Sequence, residues 1–187
     1  LGVAYITGTE VFWRMVGADI PWEFGKYTAA AVMLVAVLRM RHFRRSAIPA
    51  VAYFLLLLPS TIMLLAEVPF AEARGQISFY LSGPLALAMG AVFFSRIELT
   101  PDDARTVLLA GLIPIVSIAT LAWSGSFAGD VIFTHGSNLA ASGGFGPNQV
   151  SAALGLGALL ALLVAFDWKA PRLLRGAMLG AVVGFGV

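Results

Sequence analysis

Residues 47–66 read AIPAVAYFLLLLPSTIMLLA, twenty consecutive positions without a charge. A helix rises about 1.5 Å per residue, so this run covers about 30 Å, the thickness of a bilayer's hydrocarbon core. A strand crossing the same slab needs only about ten residues and alternates polar with apolar side chains, which this run does not do. Residues 77–95 and 106–123 repeat the pattern and 150–166 is a fourth such run. Residues 22–38 form a shorter one with Glu23 and Lys26 near one end, and 177–187 is the first half of a sixth. Hydrocarbon offers a backbone amide no partner, so the spans must be helical. The expected fold is all-α, a polytopic transmembrane helix bundle forming one membrane domain over 1–187.

Composition agrees. Hydrophobic residues make up 59% of the 187 and charged residues 12%, where soluble domains carry about 25% charge, and mean hydropathy is +0.89. A water-soluble fold is excluded, and a net charge of +2 offers no surface for nucleic acid. With no cysteine, disulfides, thiolate metal ligands and cysteine nucleophiles are excluded together. The chain starts at Leu1 and ends inside an apolar run, which reads as an internal piece of a larger membrane protein.

Nine of the twelve Lys and Arg residues fall in alternate connections. They are Arg39, Arg41, Arg44 and Arg45, then Arg96 and Arg105, then Lys169, Arg172 and Arg175. The other side holds Arg14, Lys26 and Arg74. By the positive-inside rule the first set faces the cytoplasm, and 1–21, 67–76 and 124–149 are outer loops. The group RMRHFRR around His42 sets this topology and meets anionic headgroups. Single cysteines introduced at positions 44 and 135 are therefore expected to react with an impermeant thiol reagent from opposite sides of the membrane. Labelling of both from one side would overturn the orientation.

Gly176, Gly180 and Gly184 recur every four residues, as do Ala153, Gly157 and Ala161, and both stripes read as close helix packing. Pro59, Pro84 and Pro114 interrupt three spans and are expected to kink them. The stretch most suggestive of chemistry is the outer run Ser142-Gly143-Gly144-Phe145-Gly146-Pro147-Asn148-Gln149. Pro147 suits a first helical turn, and the amides of Asn148, Gln149 and Val150 would then stand free at the positive end of a helix, where anions are attracted. The alternative is a tight turn that only caps a membrane helix.

At this point the sequence resembles a known family. The run SGGFGPNQVSAALGLGALLAL is similar to the segment that opens the core of the O-antigen ligase and polymerase family. These are bacterial inner-membrane enzymes that move glycans carried on undecaprenyl diphosphate. VFWRMVGADIPWEFGKY and ARGQISFYLSGPLAL resemble outer-face segments of the same family. The resemblance implies a GT-C-like bundle and a glycosyltransferase that needs no metal or other cofactor. Its partners would be membrane lipids, an undecaprenyl-diphosphate glycan and an acceptor glycan or lipid. It also implies a large outer loop with a functional histidine, which would lie beyond Val187.

Such a transfer needs outer cations to hold a leaving diphosphate and a base for the acceptor hydroxyl. Arg74, just before the expected helix at Ile77, is the first candidate for the diphosphate, against snorkelling or pairing with Glu67 or Glu72. Arg14, beside Phe12 and Trp13, is the second, against interfacial anchoring, and Lys26 reads as snorkelling. Gly143, Gly144, Gly146, Asn148 and Gln149 would supply amides. His135, near Asp130, is the outer histidine that could carry a proton. A transporter or flippase for a lipid-linked or amphipathic solute is the rival function. It would be expected to carry charges at mid-membrane and internal repeats, and the spans display neither.

Overall fold

The computed structural model describes residues 1–39, 45–127, 139, 142–167 and 169–186. Among these, the chain is all-α: α1 (Gly2–Met15), α2 (Phe24–Leu38), α3 (Ile48–Glu67), α4 (Phe70–Phe94), α5 (Pro101–Phe127), α6 (Pro147–Phe166) and α7 (Arg172–Phe185), with a 3₁₀ turn at Arg45–Ala47 before α3. Four helical stretches, Arg45–Glu67, Phe70–Phe94, Pro101–Phe127 and Pro147–Phe166, are long and apolar enough to cross a membrane. The protein is a multi-pass helical membrane protein. Its described residues form two compact units, one of Leu1–Ile20 with Thr100–Val187 and one of Pro21–Leu99.

In the first unit α5 is the central helix, with α1 and α6 packed on it and α7 packed on α6. Small residues allow these approaches. A Cβ on Gly8 of α1 would stand 2.6 Å from Pro114 Cγ and 2.7 Å from the Gly111 carbonyl oxygen. One on Gly157 of α6 would stand 2.6 Å from Ile115 Cγ2 and 3.3 Å from the Phe185 ring. Around them Ile115, Ile118 and Ala161 are fully buried.

The segment 1–21, expected as an outer loop, is thus largely a packed helix. Ala4 lies against Gly111 and Met15 against Gly143, so α1 runs alongside the middle of α5. Phe12, expected at an interface, packs with Ile118, Ala122 and Val150.

The larger departures of helix boundaries from the sequence reading lengthen the helices, while α2 starts at Phe24 instead of 22. The loop expected at 67–76 shrinks to Val68 and Pro69, since α4 starts at Phe70. That expected at 95–105 ends at Thr100, where a capping box opens α5. The Asp103 amide donates to Thr100 Oγ1, and the Thr100 amide and hydroxyl donate to Asp103 Oδ2. On the remaining two, α5 continues to Phe127, α6 starts at Pro147, and α7 starts at Arg172 instead of 177. At about 37 and 40 Å, the 25-residue α4 and 27-residue α5 outrun the hydrocarbon, so their charged first turns stay helical in the headgroup layer. Pro59, Pro84 and Pro114 sit inside helices that continue through them. Of the α7 glycines, a Cβ on Gly184 would stand 3.3 Å from the Trp123 ring, while Gly176 and Gly180 face open space.

Several bases counted for topology also tie helix ends together. Arg105 Nε donates to Asp167 Oδ2 at 2.7 Å, joining the start of α5 to the end of α6, and its Nη2 reaches Asp102 Oδ1 at 2.9 Å. Arg175 Nε donates to the Ala165 carbonyl at 2.9 Å, satisfying an acceptor in the last turn of α6. The Arg105 guanidinium, and then the Lys169 amide, hold the Asp167 carboxyl below its usual range. A carboxyl whose folded pKa is depressed stabilises the fold above the unfolded value, about 3.9, and loses that contribution as pH falls through the folded value. The stability difference between wild type and Asp167→Asn is therefore expected to be constant above about pH 5 and to shrink below about pH 4. Thermal unfolding in detergent at stepped pH measures it, and a pH-independent difference would contradict the assignment.

In the second unit α2 and α4 run parallel and α3 packs on α4. Three levels fix this register. The Tyr27 and Ser78 hydroxyls are 3.0 Å apart, Met33 lies beside Gly90, and Arg96 Nη1 donates to the Val37 carbonyl at 3.1 Å. No residue of α3 is buried, so its apolar surface is available to lipid on nearly every side.

Candidate functional site

The glycine-rich run forms a compact turn in the first unit, as expected. Gly143 and Gly144 adopt φ of 67° and 82°, where side chains with a Cβ are strained. A Cβ on Gly143 would also meet Met15 Cε at 2.7 Å. The amides of Ser142 and Gly144 both donate to the Leu139 carbonyl, and the Ser142 hydroxyl lies within bonding distance of the Leu139 and Phe145 carbonyls. Phe145 and Val150 then pack with Ile118 and Ala122.

This arrangement corrects the expected supply of free amides. Gly146 is the N-cap of α6 and Pro147 its first residue. The amides of Gln149 and Val150 both donate to the Gly146 carbonyl, at 3.0 and 3.1 Å. The Gln149 side chain folds back over Gly146. Of the three amides expected to stand free, Asn148 alone has no acceptor among the described residues. The turn is seated in the unit's packing, and among the described residues the amides of Gly143 and Gly146 have no acceptor either. Arg14, at the end of α1 beside Met15, shares this unit; it is partly buried and already has an interaction partner. His135, Asp130 and His42 lie outside the described residues.

Arg74 belongs to the second unit. It occupies the second turn of α4, where the sequence reading had put it before the helix. The guanidinium is exposed and makes no ion pair or hydrogen bond among the described residues, so neither Glu67 nor Glu72 holds it. Glu72 Oε1 instead accepts from Gln76 Nε2 at 3.2 Å.

The register of the two parallel helices gives this position its setting. Ser78 follows Arg74 by four residues on α4, and Tyr27 follows Glu23 by four on α2. Because Tyr27 meets Ser78, Glu23 and Arg74 hold matching positions one turn nearer the helix N-termini. Both N-termini and their positive dipole ends therefore lie at the Arg74 end of the unit, with Lys26 on α2 adding a second cation.

Glu23, Tyr27 and Ser78 were not among the sequence candidates. Their signal is the paired four-residue spacing, Glu23 with Tyr27 and Arg74 with Ser78, which becomes meaningful only once α2 and α4 are known to be parallel. The chain matches no protein-family model, no curated protein and no solved structure.

Proposed function

We propose that the protein is a GT-C-like, O-antigen ligase or polymerase type glycosyltransferase, moving a glycan from undecaprenyl diphosphate to an acceptor hydroxyl at the outer face of a bacterial inner membrane. The observation that carries the reading is Arg74, an exposed guanidinium without a polar partner among the described residues, at the end where two helix N-termini converge. A fixed fork of donors in a positive field suits a diphosphate, whose charge grows as its bond to the sugar breaks. The glycine turn also serves as a structural cap on α6, so Arg74 keeps its first place as diphosphate ligand. Charged residues in the four long helices lie within five residues of a helix end, which favours chemistry at a membrane face over a charge-lined transport path.

The test is reconstitution of the full protein in liposomes with a fluorescent undecaprenyl-diphosphate oligosaccharide and a candidate acceptor. Glycan is expected on the acceptor, with equimolar undecaprenyl diphosphate released and no nucleotide required. Movement of the intact carrier between leaflets without transfer would replace this reading with the transporter.

A further inference from the structure

Glu23 stands out from the charged residues of the second unit. It is only 8% exposed, yet its side chain makes no hydrogen bond or ion pair among the described residues. It is the N-cap of α2 but does not cap the helix through its side chain. Buried carboxylates normally satisfy their oxygens with backbone amides or a cation, because an unpaired one is costly. The carboxylate oxygens are nevertheless absent from the sealed polar atoms, so the small exposed remainder of Glu23 includes its reactive end. Covered methylenes and reachable oxygens suit a group that exchanges a proton more than one that braces a fold.

We propose that Glu23 is a proton-accepting carboxylate at the Arg74 end of the second unit, and that in the transfer proposed above it is the base for the acceptor hydroxyl. This rests on that reading for the identity of the reaction, and on burial and register for the group itself. In the step, the acceptor oxygen forms a bond to the anomeric carbon and its proton passes to a Glu23 oxygen. The bond from the anomeric carbon to the diphosphate oxygen breaks, and undecaprenyl diphosphate leaves with the electron pair. Nothing else is consumed. Arg74, at the matching position on α4, faces the leaving diphosphate, and the same pair of helix ends serves both halves of the reaction. The other titratable groups at this end are Lys26 and Tyr27 on α2, Glu67 at the end of α3 and Glu72 on α4. Tyr27 is tied to Ser78 and Glu72 to Gln76.

Two readouts on the reconstituted full protein test this. An apolar carbodiimide, which reacts with protonated carboxyls, is expected to label Glu23 at low pH and progressively less as pH rises, located by peptide mass spectrometry. Glycan transfer is expected to rise over the same pH interval. Glu23→Gln should slow transfer by about a hundredfold or more, the usual range for losing a general base, and should abolish the rising limb. Glu23→Asp should restore part of both, which a variant that fails to fold would not. Arg74→Ala should instead lower transfer while keeping the limb. Glu23 unlabelled at every pH, or Glu23→Gln transferring with the limb intact, would overturn the proposal. Labelling that titrates in a protein that transfers no glycan would overturn the transferase reading and leave the proton-exchanging carboxylate standing.

Discussion

Arg74→Ala is expected to lower glycan turnover by about a hundredfold or more, equivalent to about 2.7 kcal/mol of lost transition-state stabilisation. The magnitude follows from where the charge develops. A guanidinium that also contacts the bound diphosphate contributes to catalysis only through the part of the interaction that strengthens as the sugar–oxygen bond breaks. Removing one preorganised donor at such a position typically costs 10²–10³ in turnover, of the order of 2.7–4 kcal/mol. Arg74→Lys should recover part of the loss, because the point charge survives while the bidentate fork does not. Since Arg74 is exposed and has no polar partner among the described residues, its removal breaks no ion pair or hydrogen bond among them. Thermal stability of Arg74→Ala should therefore stay within about 0.5 kcal/mol of wild type. The measurement is initial transfer rate at saturating donor, with unfolding followed on the same preparations. Near-normal turnover would return the diphosphate to Arg14 and the glycine turn.

The spans were legible because their signal is one-dimensional. A charge-free run of hydrocarbon length, such as 47–66, can have no other structure in lipid. The ends were less legible for the same reason. Counting charge-free residues stops at Ile77 or Thr106, whereas the helices continue through Glu72, Arg74, Asp102 and Arg105 into the headgroup layer, where charge costs little. The sequence Thr100-Pro101-Asp102-Asp103 carried the start of α5 in plain form, as a cap, an N1 proline and an acidic N3. The α1 segment was misread because Glu10 and Arg14 break its apolar run, although Ala4 and Gly8 show the four-residue spacing of small residues seen elsewhere.

That spacing alone does not say which stripes are used. Gly157 and Gly8 are wedged against neighbours, while Gly176 and Gly180 are open. The candidate site divides likewise. A turn at Gly143–Gly146 follows from composition, but whether its amides point outward or close on Leu139 and Gly146 depends on three-dimensional geometry. Glu23 could not be singled out without its burial.

The largest expected structural effect lies at Gly8. A methyl group there would collide with the Pro114 ring and the Gly111 carbonyl, 2.6 and 2.7 Å away. Neither can rotate aside, because one is a fixed ring within a helix and the other is backbone. Relief requires α1 to move away from α5, which also withdraws Val11, Phe12 and Met15 from Ile118, Ala122 and Val150. Overpacking of this kind costs about 1–3 kcal/mol, and Gly8→Leu should exceed Gly8→Ala because the added bulk meets the same wall.

The chain contains no cysteine, so a designed pair reports the contact cleanly. A Cβ on Gly111 would lie 4.0 Å from Ala4 Cβ, within the usual disulfide range of about 3.5–4.5 Å. Ala4→Cys with Gly111→Cys should therefore crosslink readily under mild oxidation. Adding Gly8→Leu should lower the yield about tenfold or more, the population change that 1.4 kcal/mol produces. Gly176→Leu, on the open face of α7, should leave it unchanged. Efficient crosslinking in the Gly8→Leu background would mean that the α1–α5 contact tolerates a full side chain, and that close approach at Gly8 is not what holds α1 against α5.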